Sequence, residues 1–328
     1  MRGYAPATVT RIGLHHSHEQ LPPSALLDVV RAAEAAGFGG AMSSDHFAPW
    51  SERQGESGFA WSWLGAALAS TSLPFGVVNA PGQRYHPAIV AQAAATLCEM
   101  FPGRLWVALG SGEAANEHIT GDRWPDKATR NARLRECVEV MRALFAGEEV
   151  THHHGLVRVD RARLWTLPAE PPPLVGAAVS EATARWLAEW ADGLATINQA
   201  PETMRRVIGG WRDAGGAGRL VLQAHVSWAP TEEEALRIAH DQWRTNVFSP
   251  PIPWDLDSPA AFDEVARHVR PEDVRDSVLV TSDLGLLTAR LQELLELEPD
   301  ELYVHHVGKE QGPFIEAFAE RVLPQLAT

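Results

Sequence analysis

Hydrophobic runs rich in β-branched residues alternate with segments of helical periodicity along most of this chain. Short apolar runs are typical of strands buried on both faces, and apolar residues three or four positions apart are typical of helices packed on a sheet. The alternation therefore predicts repeated β-α units around a parallel sheet. The predicted strands are residues 11–15, 40–44, 75–79, 105–109, 174–178, 193–198, 220–227 and 302–306. Eight such units predict an α/β fold of the (β/α)8 type, the TIM barrel.

Residues at predicted helix ends support this pattern. Ser24 is predicted to cap a helix that stops at Gly37, and Pro87 is predicted to be the first residue of another helix. Residues 133–145 place apolar side chains at helical spacing. Thr231, followed by glutamates that suit the positive end of a helix dipole, is predicted to cap a fourth helix.

Four stretches are longer than a minimal barrel needs and are rich in Pro, Gly, Trp and His. They are residues 47–60, 111–131, 147–171 and 228–280. Because a barrel of this kind builds its active site from loops at the carboxyl ends of its strands, we expect these insertions to form pocket walls or lids. The last one carries Trp243, Phe248 and Trp254, which would either cover a substrate or pack against the outside of the barrel or a partner subunit. We interpret residues 1–328 as one domain.

Composition narrows the class of function. The chain has 328 residues, of which 45% are hydrophobic and 21% charged, values typical of a globular protein. Its net charge of −14 argues against a nucleic-acid surface. No apolar run approaches the roughly 20 residues of a membrane span, and the segment MRGYAPATVTRIGL lacks the hydrophobic centre of a signal peptide. We expect a cytoplasmic protein that binds small molecules, not nucleic acid or membrane.

The two cysteines, Cys98 and Cys137, both lie in segments with helical periodicity. Buried free thiols are expected there in preference to a disulfide or a zinc site. Redox chemistry, if present, would need a bound cofactor.

Polar and ionisable residues follow five of the predicted strands. The segments are HHSHE at 15–19, SSDHFAPW at 43–50, GSGEAANEH at 110–118, TINQ at 196–199 and HHVGKE at 305–310. Because the carboxyl ends of the strands of a barrel meet at one rim, these groups are expected to converge on one site.

One alternative is a metal-dependent hydrolase. His16 and His18 form an H-x-H pair after the first strand, and alternate residues of a strand can share one metal ion. Such a site also needs histidines at the fifth and sixth strands and an acid at the eighth, and the sequence has none of these. The run of histidines at 152–154 is interpreted as solvated surface in a β-turn insertion. An inactive barrel that serves as a binding or assembly module is a further alternative.

Two segments taken together carry a resemblance to a known family. SDHFAPW and GSGEAANE, with RYHPAIVAQAAATLCEMFPGRLWVALGSGEAANE and SVLVTSDLGLL in the same order and spacing, resemble the coenzyme F420-dependent glucose-6-phosphate dehydrogenase-like family of the luciferase-like flavin oxidoreductase superfamily. The resemblance runs nearly end to end. It implies a (β/α)8 barrel with insertions, usually a homodimer, whose tricyclic cofactor ring lies over the rim at the carboxyl ends of the strands.

The resemblance also implies a role for each matching residue. His46 would be the base that removes the proton of a substrate hydroxyl, Trp50 would cover the reacting face of the ring, and Glu113 would be the acid near the N1 edge. The positions implied to contact the cofactor are Asp45, Val78, Asn79, Gly112, Asn116, Ala177, Ala178 and Val179. The peptide between Val78 and Asn79 matches a place where the superfamily often has a non-proline cis bond that bulges the strand toward the cofactor.

The chemistry of these residue types agrees with that assignment. Removing a hydride from an alcohol requires a base within hydrogen-bond reach of the hydroxyl, and the histidine pKa of about 6.5 suits that task. A reduced ring gathers negative charge at N1, which a nearby carboxylic acid stabilises by donating a hydrogen bond. An indole stacks and excludes water.

Three departures from the family pattern change the expected substrate and cofactor. Ala200 and Ser277 occupy positions where relatives that bind a sugar phosphate have a lysine and an arginine, so a sugar phosphate is not expected. The fifth strand ends in GAAVSE, where the family usually supplies glycines for the cofactor phosphate. We therefore predict hydride transfer between coenzyme F420 or FMN and a small alcohol or carbonyl compound, with an FMN-dependent monooxygenase of the same superfamily as the alternative.

Overall fold

A closed barrel of eight parallel strands organises the chain, in a computed structural model that describes residues 9–326. The strands are β1 Arg11–His16, β2 Ala41–Ser44, β3 Phe75–Asn79, β4 Leu105–Leu109, β5 Val150–His152, β6 Val159–Ala162, β7 Leu174–Ala177, β8 Gly193–Ile197, β9 Arg219–Trp228, β10 Leu279–Thr281 and β11 Glu301–His306. The barrel order is β1-β2-β3-β4-β7-β8-β9-β11, and β11 pairs with β1 to close it. The predicted barrel and each of its eight strands are confirmed. The structure does not describe residues 1–8 and 327–328. Both ranges belong to the predicted domain of residues 1–328, and residues 1–8 also belong to the N-terminal segment MRGYAPATVTRIGL.

Helices cover the outside of the barrel and build the insertions. They are α1 Pro23–Ala35, α2 Ala60–Ser70, α3 Pro87–Met100, α4 Ala114–Glu117, α5 Lys127–Phe145, α6 Glu181–Leu187, α7 Pro201–Asp213, α8 Glu232–Trp243, α9 Ile252–Asp255, α10 Pro259–Val265, α11 Leu284–Leu295, α12 Gln311–Arg321 and α13 Leu323–Leu326. None of the described helices is long and apolar enough to cross a membrane.

The predicted helix ends are mostly confirmed. Pro87 begins α3, and the Thr231 hydroxyl accepts a hydrogen bond from the Glu234 backbone N–H at the start of α8. The prediction that Ser24 caps α1 is wrong, because Pro23 already occupies the first helical position. A proline there needs no hydrogen-bond acceptor and has a helical φ, so the helix begins before Ser24.

Three of the strands, β5, β6 and β10, were not predicted. Strands β5 and β6 pair as an antiparallel hairpin within the insertion at 147–171, where the side chains of His153 and Asp160 are 57% and 61% exposed. Strand β10 extends the sheet by pairing with the upper end of β9, at Val226–Trp228. The sequence SVLVTSD, recognised only as part of a family segment, carries this short strand.

The interior of the barrel is filled at its amino-terminal end and open at the other. Met42, Trp106, Val175, Val221 and Tyr303 form an internal apolar cluster, separate from the larger core between the strands and the helices. The Tyr303 hydroxyl donates a 2.6 Å hydrogen bond to the buried Glu301 carboxylate, which satisfies its polar end. Cys98 and Cys137 are free and buried, as predicted.

Glycine in β3 is a condition for this internal packing. A Cβ atom on Gly76 would lie 2.0 Å from the Trp106 ring, which is far inside van der Waals contact. By contrast, a Cβ on Gly209 of helix α7 would meet nothing within 4 Å.

We therefore predict opposite effects for two alanine substitutions. Gly76→Ala should lower the free energy of unfolding by about 1–3 kcal/mol, because Trp106 must move or the strands must separate. Gly209→Ala should raise it by up to about 1 kcal/mol, because glycine is a poor helix former. Denaturant unfolding measured by circular dichroism checks both, and a Gly76→Ala protein as stable as the parent would contradict the packing described here.

Candidate active site

A cavity of about 1030 Å³ opens at the carboxyl ends of the barrel strands. Its volume is at the upper end of the range for small-molecule and cofactor sites. All of the residues predicted for the site line it: His46, Glu113, Trp50, Asp45, Val78, Asn79, Gly112, Asn116, Ala177, Ala178 and Val179. The structure therefore brings together residues that the sequence separates by more than a hundred positions.

The centre of the site is a buried ion pair between Glu19 and His46. Glu19 Oε1 lies 2.8 Å from His46 Nδ1, and the carboxylate also accepts hydrogen bonds from the hydroxyls of Ser17 at 2.6 Å and Ser44 at 2.7 Å. Because Nδ1 is held by Glu19, the other ring nitrogen is directed away from it, and Nε2 lies 3.8 Å from Glu113 Oε2. Glu19 was noted in the sequence only as one of several strand-end residues.

These contacts change the protonation of all three groups. Burial alone would lower the pKa of His46, but the charge and hydrogen bond of Glu19, with the charge of Glu113, raise it to about 9. Burial opposes ionisation of Glu19, yet His46 and the two serine hydroxyls hold its pKa well below the usual value. Burial raises the pKa of Glu113 to about 7, and the charge of His46 opposes this rise. The arrangement can hold a proton on His46 at neutral pH and exchange it at Nε2.

Trp50 packs against the same imidazole. Its ring meets His46 edge to face at 5.2 Å and Phe262 of α10 in the same way at 5.2 Å. The Trp50 backbone N–H donates to the Gln54 side chain at 2.8 Å. The indole is therefore fixed from both sides and shields His46 from water.

The Asp45 carboxylate is turned into the wall of the cavity. It accepts hydrogen bonds from the Asn79 amide at 2.7 Å, the Trp61 indole at 3.1 Å and the Tyr85 hydroxyl at 3.2 Å. Arg84 lies 3.7 Å from it, and burial raises the pKa of Asp45. Direct contact of this carboxylate with a cofactor stays a prediction, whereas its part in fixing Asn79 is a feature of the structure.

Two members of this wall, Arg84 and Glu117, are not among the residues predicted for the site. Arg84 lies between Asp45 and Glu117, with its backbone N–H donating to Glu117 at 2.6 Å and its guanidinium 3.7 Å from that carboxylate. Arg84 stands in an irregular segment after β3, and Glu117 ends helix α4, which is too short to show a periodicity that would mark this residue as buried. The charges of Arg84 and Glu117 come together only because the loops after β3 and β4 are buried against each other.

Asn116 and Gly112 organise the loop after β4. The Asn116 side-chain oxygen accepts hydrogen bonds from the backbone N–H groups of Phe47 at 2.9 Å and Ala48 at 3.3 Å, and its amide donates to Glu113 at 3.2 Å. Gly112 has φ +85°, a conformation that residues with a side chain rarely adopt. Asn116 therefore ties the loop that carries Trp50 to the loop that carries Glu113.

The expected cis peptide between Val78 and Asn79 is wrong. Among residues 9–326 the cis peptide bonds are limited to Pro250–Pro251. Val78 pairs with Ala108 and Asn79 with Leu109 in unbroken register, so β3 runs straight to its end and makes no bulge. Both residues nevertheless line the cavity.

Several buried polar atoms at the rim have no hydrogen-bond partner within the described residues. They are the side-chain oxygens of Asn79 and Thr196 and the amide nitrogen of Gln199. A ring edge that alternates carbonyl and N–H groups, as the pyrimidine end of a flavin or deazaflavin does, would satisfy such a set. The cavity therefore fits the expected type of cofactor. Binding of its phosphate at Ala177, Ala178 and Val179 stays a prediction.

His16 and His18, the pair expected to bind a metal in the hydrolase alternative, lie outside the cavity. His16 and His18 pack on the ring of Trp63, at 5.8 and 4.9 Å, and neither lines the cavity. In the part of the chain that the structure describes, no three His, Cys, Asp or Glu side chains are placed to hold a metal ion. The hydrolase alternative lacks its set of ligands there.

The insertion at 228–280 forms one wall of the cavity. Trp243, Phe248 and Trp254 all line it, as the lid interpretation predicted. The Lys127 ammonium lies 4.1 Å from the centre of the Trp254 ring, and the Trp124 indole donates to Asp255 at 3.1 Å. These contacts fasten helix α9 of this wall to the segment that follows β4.

Known proteins share this architecture. The model of the luciferase-like monooxygenase family matches residues 6–293. An F420-dependent glucose-6-phosphate dehydrogenase of Nakamurella multipartita is 32% identical over 327 residues, covering 96% of each chain.

Two solved structures are also similar. An F420-dependent secondary alcohol dehydrogenase in complex with an F420-acetone adduct is 28% identical, with a TM-score of 0.89 over 98% of this chain and 100% of the other. The coenzyme F420 dependent tetrahydromethanopterin reductase of Methanopyrus kandleri is 19% identical, with a TM-score of 0.77 over 97% of this chain and 100% of the other. The latter likeness is one of fold.

We predict that Glu19 sets the protonation of His46. Glu19→Gln should lower the pKa of His46 from about 9, because it removes the charge that favours the imidazolium. The nitrogen chemical shifts of the imidazole ring, followed by NMR against pH, measure this directly. Ser17→Ala removes one hydrogen bond from the carboxylate but no charge and should have a smaller effect. An unchanged His46 titration in Glu19→Gln would contradict the prediction.

Proposed function

Because the chain belongs to the luciferase-like monooxygenase family and is an oxidoreductase, we propose that it transfers hydride between coenzyme F420 and a small uncharged alcohol or carbonyl compound. The observation that carries this proposal is the orientation of His46, whose Nδ1 is held by Glu19 and whose Nε2 is left for a ligand beside Glu113. The proposal keeps two expectations from the sequence, a homodimer and a cytoplasmic location.

The choice of cofactor rests on the names of the relatives and on the unpartnered polar atoms of Asn79, Thr196 and Gln199 at the rim. The curated relative and the alcohol dehydrogenase are named as F420-dependent. Asn79, Thr196 and Gln199 would hold the polar edge of the ring, with Val78 and the Ala177–Val179 segment beside it. When bound, F420 would accept or donate a hydride, while FMN in the same place could also react with oxygen. The family description names monooxygenases, so an FMN-dependent monooxygenase is the second candidate.

The charge of the cavity wall supports an uncharged substrate. The arginine and lysine side chains that line the cavity in the described part are Arg84 and Lys127. Arg84 is engaged by Asp45 and Glu117, and the Lys127 ammonium lies on the Trp254 ring. Ala200 and Ser277 also line the cavity, and neither side chain offers a positive charge to the phosphate group of a substrate. The substrate thus differs in charge from the one in the name of the glucose-6-phosphate dehydrogenases.

His46 performs the proton transfer in this proposal. In alcohol oxidation its neutral Nε2 accepts the hydroxyl proton, and in carbonyl reduction the imidazolium donates that proton to the forming alkoxide. Glu19 stabilises the imidazolium and fixes its orientation. Glu113 in its protonated form donates a hydrogen bond where negative charge develops, and Trp50 excludes water from the reacting atoms.

Cofactor choice is tested by parallel titrations of the purified protein. We expect F420 to bind with a change in its absorbance and fluorescence, and FMN to bind more weakly. The F420-loaded protein should oxidise butan-2-ol or reduce butanone, and should leave glucose 6-phosphate unchanged. Turnover of glucose 6-phosphate would reject the uncharged substrate, and FMN binding with oxygen consumption would favour the monooxygenase.

The role of His46 is tested by substitution and by pH. His46→Ala should retain cofactor binding but reduce kcat by a factor of about 10² or more, while His154→Ala, on the exposed hairpin loop, should not. Because carbonyl reduction needs protonated His46, kcat/KM for it should fall as pH rises through about 9, and kcat/KM for alcohol oxidation should rise over the same interval. Normal turnover by His46→Ala would reject its role as acid and base.

A further inference from the structure

Three imidazoles and one amide form the floor of the cavity, below the groups assigned to catalysis. His15 lies in β1, Gln223 and His225 in β9, and His305 in β11. His305 is opposite His225 in the sheet register, and its ring centre is 4.5 Å from that of His15 and 5.5 Å from that of His225. The proton transfer at His46 uses none of these side chains.

Hydrogen bonds fix the tautomers of two of these rings. The Gln223 amide nitrogen lies 3.2 Å from His225 Nε2 and 3.4 Å from His305 Nδ1, and an amide nitrogen only donates, so both ring nitrogens are acceptors. His305 Nε2 therefore carries the hydrogen and donates to the Gln20 side-chain oxygen at 2.9 Å. The network is complete only when both imidazoles are neutral.

Two polar atoms of the floor take no part in these hydrogen bonds. His15 Nδ1 is buried and has no hydrogen-bond partner among residues 9–326. The side-chain oxygen of Gln223 accepts no hydrogen bond within the same described part, because only its amide nitrogen is used. A buried polar atom is normally satisfied, so the unpartnered His15 Nδ1 indicates a polar ligand. The Gln223 side chain is half-buried and lines the same cavity, so its oxygen is available to that ligand.

The floor carries no positive charge of its own. Burial lowers the pKa of His15 to about 3 and that of His225 to about 4, so both are neutral near pH 7. The adjacent Glu19 already accepts from Ser17, Ser44 and His46. Trp243 of α8 covers the floor, with its ring 4.8 Å from His225 and 4.9 Å from His305. An ionised ligand group would therefore find no partner here.

We propose that His15 and Gln223 bind a second hydroxyl of the substrate, so that the enzyme prefers uncharged diols and polyols to simple alcohols. When His15 carries its hydrogen on Nδ1, a hydroxyl can accept a hydrogen bond from this N–H and donate one to the Gln223 amide oxygen. His15, Glu19 and His46 line the same cavity, so the floor adjoins the reacting end proposed above. This inference rests on the proposed function, because it takes His46 as the place where the first hydroxyl reacts.

The test compares butane-2,3-diol with butan-2-ol, which differ by one hydroxyl, in the F420-loaded enzyme. The parent enzyme should prefer the diol in kcat/KM by about tenfold or more, since a site built for a hydroxyl discriminates against the analogue that lacks it. His15→Phe should bring the preference close to one, and His15→Asn, which keeps an amide donor, should restore part of it. His16→Phe is the matched control, because His16 is the next residue of β1 and packs on Trp63 outside the cavity.

Measuring the affinity of the loaded protein for the two alcohols distinguishes a failure of this inference from a failure of the proposed function. If neither alcohol reduces the coenzyme, the proposed function fails, and calorimetric titration of both alcohols into the loaded protein still measures the preference of the floor. Equal affinity for the two alcohols, or a preference unchanged by His15→Phe, overturns the inference. The inference is also overturned if His15→Phe weakens F420 binding and leaves the diol preference intact. His15 would then bind an oxygen of the cofactor and not a hydroxyl of the substrate.

Discussion

The carboxylate of Glu19 is buried at the end of β1, and the rest of the site depends on how its charge is satisfied. An ionised carboxylate in a dry environment is costly unless donors surround it, and Glu19 has Ser17, Ser44 and His46. These partners come from β2 and from the segments that follow β1 and β2. Satisfying Glu19 thus fixes the His46 ring, and the orientation of His46 places its free nitrogen beside Glu113 and its face against Trp50.

The barrel supports this arrangement by dividing its interior into two halves. Trp106 and Tyr303 fill the amino-terminal half, which is possible because Gly76 and Gly13 leave room for their rings. The other half is lined by neutral imidazoles and amides at the floor and by aromatic residues on the wall formed by the insertion at 228–280. Polar groups can therefore lie at the floor of the cavity without opening the barrel to solvent.

The charged residues of the wall divide into pairs that stabilise the loops and groups that face a ligand. Arg84 lies 3.7 Å from both Asp45 and Glu117, and these three residues hold the loops after β2, β3 and β4 together. Among the described residues that line the cavity, Arg84 is the one arginine, and these two carboxylates already engage it. The neighbouring network of His225, Gln223 and His305 is satisfied without any charge. The cavity therefore places uncharged polar groups beside the buried ion pair of Glu19 and His46.

Much of the fold was predictable because local patterns and topology agree. Alternating β and α periodicity specified the eight barrel strands, and parallel strand ends in a barrel must meet at one rim, so His46, Glu113 and Trp50 could be assigned to one cavity. The partners of these residues could not be predicted. Glu19 and Arg84 act through contacts between loops far apart in sequence, the Val78–Asn79 peptide depends on the register of β3 with β4, and the floor depends on which face of β1, β9 and β11 turns inward. The sequence by itself determined the architecture and the residue types at the rim, because periodicity and strand ends are local. Only the tertiary structure decided the protonation of His46, the buried charge pairs and the neutral floor, because those follow from distances and burial that no local pattern contains.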